Sequence, residues 1–284
     1  MIEYIELSRK QIEALPKENT VLVSSISPIE VHGAHLPVGT DYYIAQEIMN
    51  RFAKEMEDFS IVHLPDLPLG SHVVGASGSL PVKSQTLYEL LLAWGMKLSD
   101  LGFKYWVVCD NHGGPKHQLA IVKAARRLLR KKSFYLINPF LHIYKEMLED
   151  NPRIGLPPGK NGNAYDAHAG TNETSLMLVT RRDLVSKDFV NLSKFLPTIK
   201  SKTGDFLRKI GHQHLANMAD WVNDPDCPYY MGAPAEAEEK NGEIMLAYHV
   251  SRSKELLYEA RNRNYKPLVP VRGVVGFMVK LFPE

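Results

Sequence analysis

Segment 28–41 places acidic and imidazole side chains close together in a pattern that suits metal binding. Residues two apart in an extended chain point to the same side, so Glu30 and His32 should project together, and Asp41 should return toward them at the start of a helix. Carboxylates and imidazoles are the usual ligands of Zn, Mn and Fe, and the two oxygens of one carboxylate can bridge two ions. The segment therefore suits a metal site, although a surface turn explains Glu-x-His about as well.

Two later segments carry the same residue types. His112 lies in segment 110–114, directly after an apolar run, and the two glycines beside it permit close backbone approach. His168 and Glu173 flank a glycine in segment 166–175, ahead of an apolar helical run. Taken singly, His112 suits a satisfied loop histidine, and Glu173 suits a helix N-terminus, where a carboxylate is favourable for dipole reasons. The case for a metal centre is that three such clusters occur beside predicted strand or helix ends.

The elements that must hold these segments follow from the spacing of apolar residues. Short apolar or β-branched runs predict strands at 20–26, 60–64, 105–109 and 134–137. Helices are expected to begin near Asp41 and at Ser84, which should cap its helix with Gly102 at the far end, and a last helix should run from Pro234 toward Asn264. Strands that alternate with helices indicate a layered α/β domain with a parallel sheet, whose sites lie beyond the carboxyl ends of the strands.

Segment 138–165 departs from this alternation because it is rich in proline and glycine around one short helical stretch. It predicts a long insertion in a single domain spanning 1–284, and such an insertion suits a lid over the site. An ordinary surface excursion explains the same composition equally well.

Composition excludes several classes of function. The chain has 284 residues, a formal net charge of +2 and scattered basic residues, so no nucleic-acid partner is expected. The longest basic cluster, in 126–132, suits a solvated helix face better than a phosphate-binding patch. No apolar run is long enough to cross a bilayer, and no G-x-G-x-x-G follows the first strand, which argues against a nucleotide-binding oxidoreductase. Two cysteines and an acidic N-terminus without a signal-peptide pattern lead us to expect a cytoplasmic protein.

The three His/carboxylate segments closely resemble the motifs of the creatininase (creatinine amidohydrolase) family. The first matches Glu-x-His-Gly-x-His-Leu-Pro followed by Gly-Thr-Asp, from Glu30 to Asp41. The family's His-Gly-Gly loop corresponds to 112–114, its His-Ala-Gly-x-x-Glu-Thr-Ser segment to 168–175, and a weaker match covers 232–242. The resemblance thus runs along most of the chain in the family's order. With the hydrophobic pattern, it implies a three-layer α/β/α sandwich with a mainly parallel central sheet.

The resemblance also implies a set of metal ligands. The first ion would be held by Glu30, Asp41 and His112, and the second by His32 and Asp41, with Asp41 as the bridge. Creatininase supplies a further carboxylate two residues after the loop histidine, where this chain has Gly114. Glu173 is the candidate to replace it, and the implied cofactors are two divalent ions per chain, namely Zn, Mn or Fe.

The residues around the substrate depart further from creatininase. His168 matches the family's catalytic histidine, but segment 163–165 before it has none of the tryptophans that close over creatinine. The Gly/Ser-rich loop 70–79 suits small polar substrates, so His72 and Ser79 are candidate substrate-binding residues, although a flexible turn explains each as well. These departures argue against creatinine itself as the substrate.

The implied reaction is attack of an ion-activated water on a carbonyl of a small polar, cyclic substrate. An amidohydrolase acting on a C–N bond, by ring opening or deformylation, is the first hypothesis. A ring-opening hydrolase acting on a C–C bond of a cyclic polyol ketone uses the same attack and stays open. A non-catalytic small-molecule binding protein on this fold is the alternative from another class. Family likeness further implies a homo-oligomer, often a hexamer.

Overall fold

The computed structural model describes residues 1–149, 151–156 and 166–268. The strands are β1 (Ile2–Glu3), β2 (Thr20–Ser25), β3 (Ser60–His63), β4 (Tyr105–Cys109) and β5 (Tyr135–Ile137). The α-helices are α1 (Arg9–Ala14), α2 (Thr40–Glu55), α3 (Ser84–Asp100), α4 (Pro115–Lys132), α5 (Phe140–Leu148), α6 (Thr171–Thr180), α7 (Lys202–Lys209), α8 (Gln213–Val222) and α9 (Glu239–Arg261).

The described strands form one parallel sheet in the order β1-β3-β2-β4-β5. Val23 of β2 lies opposite His63 on one side and Val107 on the other, which aligns the carboxyl ends of the three central strands. Beyond β2, Ile26 N donates to Cys109 O at 2.8 Å. The loop that carries Glu30 and His32 therefore leaves the sheet next to the loop that carries His112. The four strands predicted from the sequence are confirmed to within a residue or two at their ends.

Side chains alternate between the two faces of the sheet and build two separate cores. Val21 and Val107 pack with α2, α6 and α9, whereas Leu22 and Trp106 pack with α3 and α4. This alternation is what a period of two residues requires in a strand covered on both faces. The predicted three-layer α/β/α architecture with a parallel sheet is therefore confirmed.

The boundaries of α3 correct two details of the sequence prediction. Ser84 is the first helical residue rather than the cap, and Lys83 occupies the N-cap position without a side-chain cap hydrogen bond. Gly102, with a φ of 93°, does follow the end of the helix, as predicted. The apolar spacing of this helix predicts that Leu101 faces the core, whereas it occupies the C-cap position and is 44% exposed.

Part of the predicted insertion is described. Within 138–165, α5 buries Ile143 and Met147 in the core shared with α2 and α9. Residue 150 and residues 157–165 lie outside the described residues, so the lid stays a prediction.

The sequence pattern missed the hairpin of α7 and α8, which lies between the third chemical segment and α9. Leu207 and Ala216 form a small apolar cluster between the two helices, and Leu119 of α4 packs against it. Trp221, near the end of α8, is 1% exposed and points toward the third segment. Across the described residues, no helix is both long and apolar enough to span a membrane.

Candidate metal centre

The loop that carries Glu30 and His32 closes on itself and returns to the edge of the sheet at Asp41. Glu30 N donates to Val38 O at 2.9 Å, and Pro37 O accepts from both the backbone N and the side chain of Thr40. Asp41 follows as the second residue of α2, and its carboxylate is 1% exposed. The loop therefore brings Glu30 and Asp41 together, as predicted from the motif.

Among the described residues, three groups of donor atoms converge here, and two of them share Asp41. The group that does not is Glu30, His32 and His168. Glu30, Asp41 and His112 form the first of the two that share Asp41. His112 Nδ1 lies 3.0 Å from Glu30 Oε2 and 3.3 Å from Asp41 Oδ2. All three residues are buried. The group therefore presents two carboxylate oxygens and one imidazole nitrogen to a common point.

His32, Asp41 and Glu173 form the second group. His32 Nε2 lies 3.5 Å from Asp41 Oδ1 and 3.5 Å from Glu173 Oε2. Asp41 thus turns one oxygen to each group, which is the arrangement of a bridging carboxylate. Glu173 reaches this position from the first turn of α6.

The donor set fits divalent ions. Ligand atoms around a tetrahedral ion with ligand distances of about 2.0–2.2 Å lie about 3.3–3.6 Å apart, close to the separations within both groups. Among the described residues, Glu30 Oε2, His32 Nε2 and Asp41 Oδ2 have no hydrogen-bond partner, although each is buried. Buried polar atoms are nearly always satisfied, so three that converge without hydrogen-bond geometry indicate atoms placed for a cation.

The charges of the centre point the same way. Burial raises the pKa of Glu30, but the His112, His168 and His32 imidazoles outweigh it and lower that pKa to about 2. Burial lowers the pKa of His32, but the carboxylates of Asp41, Glu173 and Glu30 raise it to about 10. Burial and the nearby Asp41 raise the pKa of Glu173 to about 8, against the opposing effect of His32. The carboxylates of this buried cluster therefore stabilise a positive charge that lies between them.

Backbone carbonyls fix which nitrogen each imidazole turns to the centre. A carbonyl only accepts, so His32 Nδ1 donates to Glu30 O at 2.9 Å and His112 Nε2 donates to Ser71 O at 3.1 Å. In the neutral rings, which are the form that binds a metal, the lone pairs are therefore on His32 Nε2 and His112 Nδ1, the atoms that face the carboxylates. Such outer contacts are the usual way in which proteins orient metal-binding histidines.

Further contacts hold the first group in place. Asp110 Oδ1 accepts from His112 N at 3.0 Å, and Gln118 Nε2 donates to Asp110 Oδ2 at 2.6 Å. Val74 N donates to Glu30 Oε1. Loop 70–79 therefore supports the centre with its backbone, a role that the sequence did not reveal.

Gly114 occupies the position at which creatininase has a metal-binding carboxylate. In this structure, there is no room for a side chain at that position. A Cβ at this position would overlap His112 Nε2 and would lie 2.6 Å from His72 O. This close approach accounts for the glycine and supports Glu173 as the carboxylate of the second group.

His168 lies between two aromatic rings beside the second group. Its ring stacks on that of His32 with the centroids 4.2 Å apart, and the centroid of the Trp221 ring lies 5.1 Å from that of His168. His168 Nε2 donates to Val31 O at 2.8 Å. Trp221 was missed because, in the sequence, it is indistinguishable from a core residue of an amphipathic helix.

A small cavity of about 40 Å³ opens beside the second group. Its lining includes Asn111, Tyr144, His168, Glu173 and His249. It is the described cavity nearest the converging donor atoms.

The two predicted substrate-binding residues are not among those that line this cavity. Ser79 Oγ accepts from Val31 N at 3.0 Å, so this hydroxyl supports the first loop. The carbonyl of His72 lies against Gly114, and the His72 backbone has a positive φ of 59°. A substrate role for either residue stays a prediction.

Comparison with known proteins identifies the family. A family model described as creatinine amidohydrolase matches residues 5–257. The chain belongs to the creatininase family. Accordingly, the protein is an enzyme, a metal-dependent amidohydrolase.

Solved creatininases share the fold. A Mn creatininase has 18% sequence identity and a TM-score of 0.65, and the match covers 91% of this chain and 98% of the other. A mutant creatininase of Zn-Zn type has 21% identity and a TM-score of 0.68, covering 90% and 97%. A mutant complexed with creatine has 20% identity and a TM-score of 0.66, covering 91% and 98%. No curated protein matches the sequence.

Proposed function

We propose that this creatininase-family enzyme holds two divalent ions per chain and hydrolyses an amide C–N bond of a small polar, cyclic substrate. The observation that supports it is the pair of three-residue groups that share Asp41. Glu30, Asp41 and His112 would hold one ion, and His32, Asp41 and Glu173 the other. Similarity to Zn and Mn creatininases favours either of these metals, and the donor set admits Fe as well.

When bound, a pair of ions lowers the pKa of a water molecule toward neutrality and polarises the carbonyl under attack. The residues of the chain have three tasks around that chemistry. The buried carboxylates offset the charge of the ions, the small cavity restricts water, and His168 moves a proton. Of the three, the proton transfer can be assigned to particular atoms.

His168 is set up to accept a proton before it donates one. Because Nε2 donates to the Val31 carbonyl, the lone pair of the neutral ring is on Nδ1. Burial and the neighbouring His32 lower the pKa of His168 to about 4, so the ring is neutral at neutral pH. Nδ1 can therefore take a proton from the attacking water and return it to the leaving nitrogen.

The cavity measures about 40 Å³ in this structure, little more than the volume of one water molecule, so its lining rather than its size supports the proposal. The residues of that lining combine amide, phenol and imidazole groups with the apolar Phe140 and Met147, so a compact polar ring is the class that we propose. The segment that creatininase closes with tryptophans has none in this sequence, which argues for a substrate other than creatinine. Screening lactams, formamides and cyclic ketones would distinguish C–N from C–C cleavage.

The test of the metal centre is elemental analysis of protein purified without chelator. We expect about two ions per chain in the wild type and a large loss in Asp41→Ala, since Asp41 serves both groups. The matched control is Asp220→Asn, which alters a buried carboxylate on α8 that pairs with Arg208. Wild-type protein that takes up neither Zn nor Mn would contradict the proposal.

The oligomeric state is a separate prediction from family likeness. We expect a homo-oligomer, a hexamer in particular, and light scattering coupled to gel filtration measures it directly. A monomer at micromolar concentration would contradict this expectation without affecting the metal centre.

A further inference from the structure

Asn111 contacts carboxylates from two different elements of the centre. It follows β4 and is 5% exposed. Its Nδ2 lies 3.1 Å from Asp41 Oδ1 and 3.1 Å from Glu173 Oε1. The NH₂ group of the amide makes both contacts, with one hydrogen for each carboxylate oxygen.

These two bonds orient the two carboxylates. Glu173 Oε1 accepts from Asn111, whereas Glu173 Oε2 faces His32 Nε2 at 3.5 Å and accepts from Ala169 N at 2.6 Å. Glu173 Oε2 is therefore the Glu173 oxygen that faces the second group. Asp41 Oδ2 faces the first group, whereas Asp41 Oδ1 faces the second group and accepts from Asn111 Nδ2.

Asn111 also separates two like charges. The two oxygens that Asn111 Nδ2 contacts belong to two acidic side chains of the same group, which repel each other when both are ionised. A neutral donor that binds both of them offsets that repulsion without adding charge. Removal of the amide would leave the carboxylates free to move apart.

The first group has supports of its own. His112 is held by Asp110 and Ser71, and Glu30 by Val74 N. None of these contacts involves Asn111. Asp41 is shared by both groups, but Glu173 belongs to the second group and not to the first, so a change at Asn111 should weaken the second group more than the first.

We propose that Asn111 is a positioning residue that holds Asp41 and Glu173 at chelating separation, and thereby sets the affinity of the enzyme for its second ion. The inference rests on the proposed two-ion centre and deepens it. If the inference is right, one substitution at a residue that is not itself a ligand lowers the affinity for one ion more than for the other.

The experiment is a Mn²⁺ titration of metal-free protein by calorimetry, together with elemental analysis after gel filtration. Asn111→Leu keeps the branching and the number of side-chain heavy atoms and removes the donor. Loss of an outer contact typically costs about 10–100-fold in metal affinity, so one Mn²⁺ should bind that much less tightly while the affinity for the other changes less. After gel filtration, the variant should retain about one ion per chain, against two in the wild type.

The matched control is Asn138→Leu. Asn138 is also 5% exposed, and its amide donates to Gln118 rather than to a carboxylate of the centre. This variant should keep the second ion. If Asn111→Leu fails to fold, as judged by circular dichroism, Asn111→Gly removes the same donor without introducing a branched side chain.

The outcomes separate the inference from the proposed function. Two ions bound with unchanged affinities in Asn111→Leu would overturn the inference and leave the two-ion centre standing. Equal weakening of both ions would also overturn it, because Asn111 would then support the centre as a whole. A wild type that binds no Mn²⁺ would overturn the proposed function and the inference together.

Discussion

At the scale of single residues, His168 is the side chain whose proposed role differs from that of its neighbours. It contacts the centre by stacking on His32, but its Nε2 is engaged by the Val31 carbonyl. Its substitution should therefore separate metal binding from proton transfer.

We predict that His168→Gln keeps both ions and loses activity by about 10²–10⁴-fold, the usual contribution of general acid–base catalysis. Elemental analysis and steady-state kinetics on the same preparation provide the measurement. Loss of metal in this variant would instead make His168 a ligand, which its place beside Glu30 and His32 also allows.

The glycine pair after His112 offers a second test at this scale. We predict that Gly114→Ala weakens binding of the first ion and lowers the thermal stability, because its Cβ would overlap the ring of His112. Gly113→Ala is the matched control, since the nearest atom to its Cβ would be Tyr144 Cζ at 4.0 Å. Equal effects from the two substitutions would refute the steric explanation.

At the scale of elements, the position of Glu173 depends on how α6 packs against α9. A Cβ at Gly242 in α9 would overlap the carbonyl oxygen of Ser175 and would lie 2.7 Å from its carbonyl carbon. Ser175 Oγ in turn accepts from Glu238 N at 3.1 Å. Backbone atoms cannot rotate aside, so the two helices can approach this closely only with glycine at 242.

We predict that Gly242→Ala destabilises the protein by about 1–3 kcal/mol, the usual cost of overpacking, although alanine is the better helix former. Chemical denaturation measures the free energy of unfolding. Gly95→Ala in α3 is the control, because its Cβ would meet only the side chain of Leu128, which can change rotamer. A smaller cost at Gly242 than at Gly95 would contradict the argument.

At the scale of the whole molecule, His249 couples stability to pH. It lies in α9 and is 3% exposed. Burial lowers its pKa to about 4 from an ordinary value of 6.5. Between these values the unfolded chain binds more protons than the folded one, so the free energy of unfolding falls as the pH falls through this window.

We predict that His249→Leu loses less stability than the wild type on going from pH 7 to pH 5. The titration of this one group accounts for about 2 kcal/mol at pH 5. Urea denaturation at the two pH values is the measurement, with unchanged m-values as the control for two-state behaviour. Parallel losses in the two proteins would show that other groups dominate acid sensitivity.

The sequence by itself determined four of the five described strands, the layered fold and the order of the chemical segments. Strand 105–109 could be predicted because its apolar run is continuous, and Glu30, His32 and Asp41 because they belong to one local motif. Local spacing alone places such residues on the same side of the chain. Family likeness then supplied the roles expected of His112, His168 and Glu173, which the pattern had singled out.

Only the tertiary structure decided how these segments meet. Asn111, Trp221 and the backbone of loop 70–79 reach the centre through contacts between residues distant in sequence, which no local pattern records. The same holds for Gly114, whose lack of a side chain is explained by the ring of His112 and the carbonyl of His72. Local periodicity reports which face of an element is buried, whereas a site is defined by what other elements bring to it.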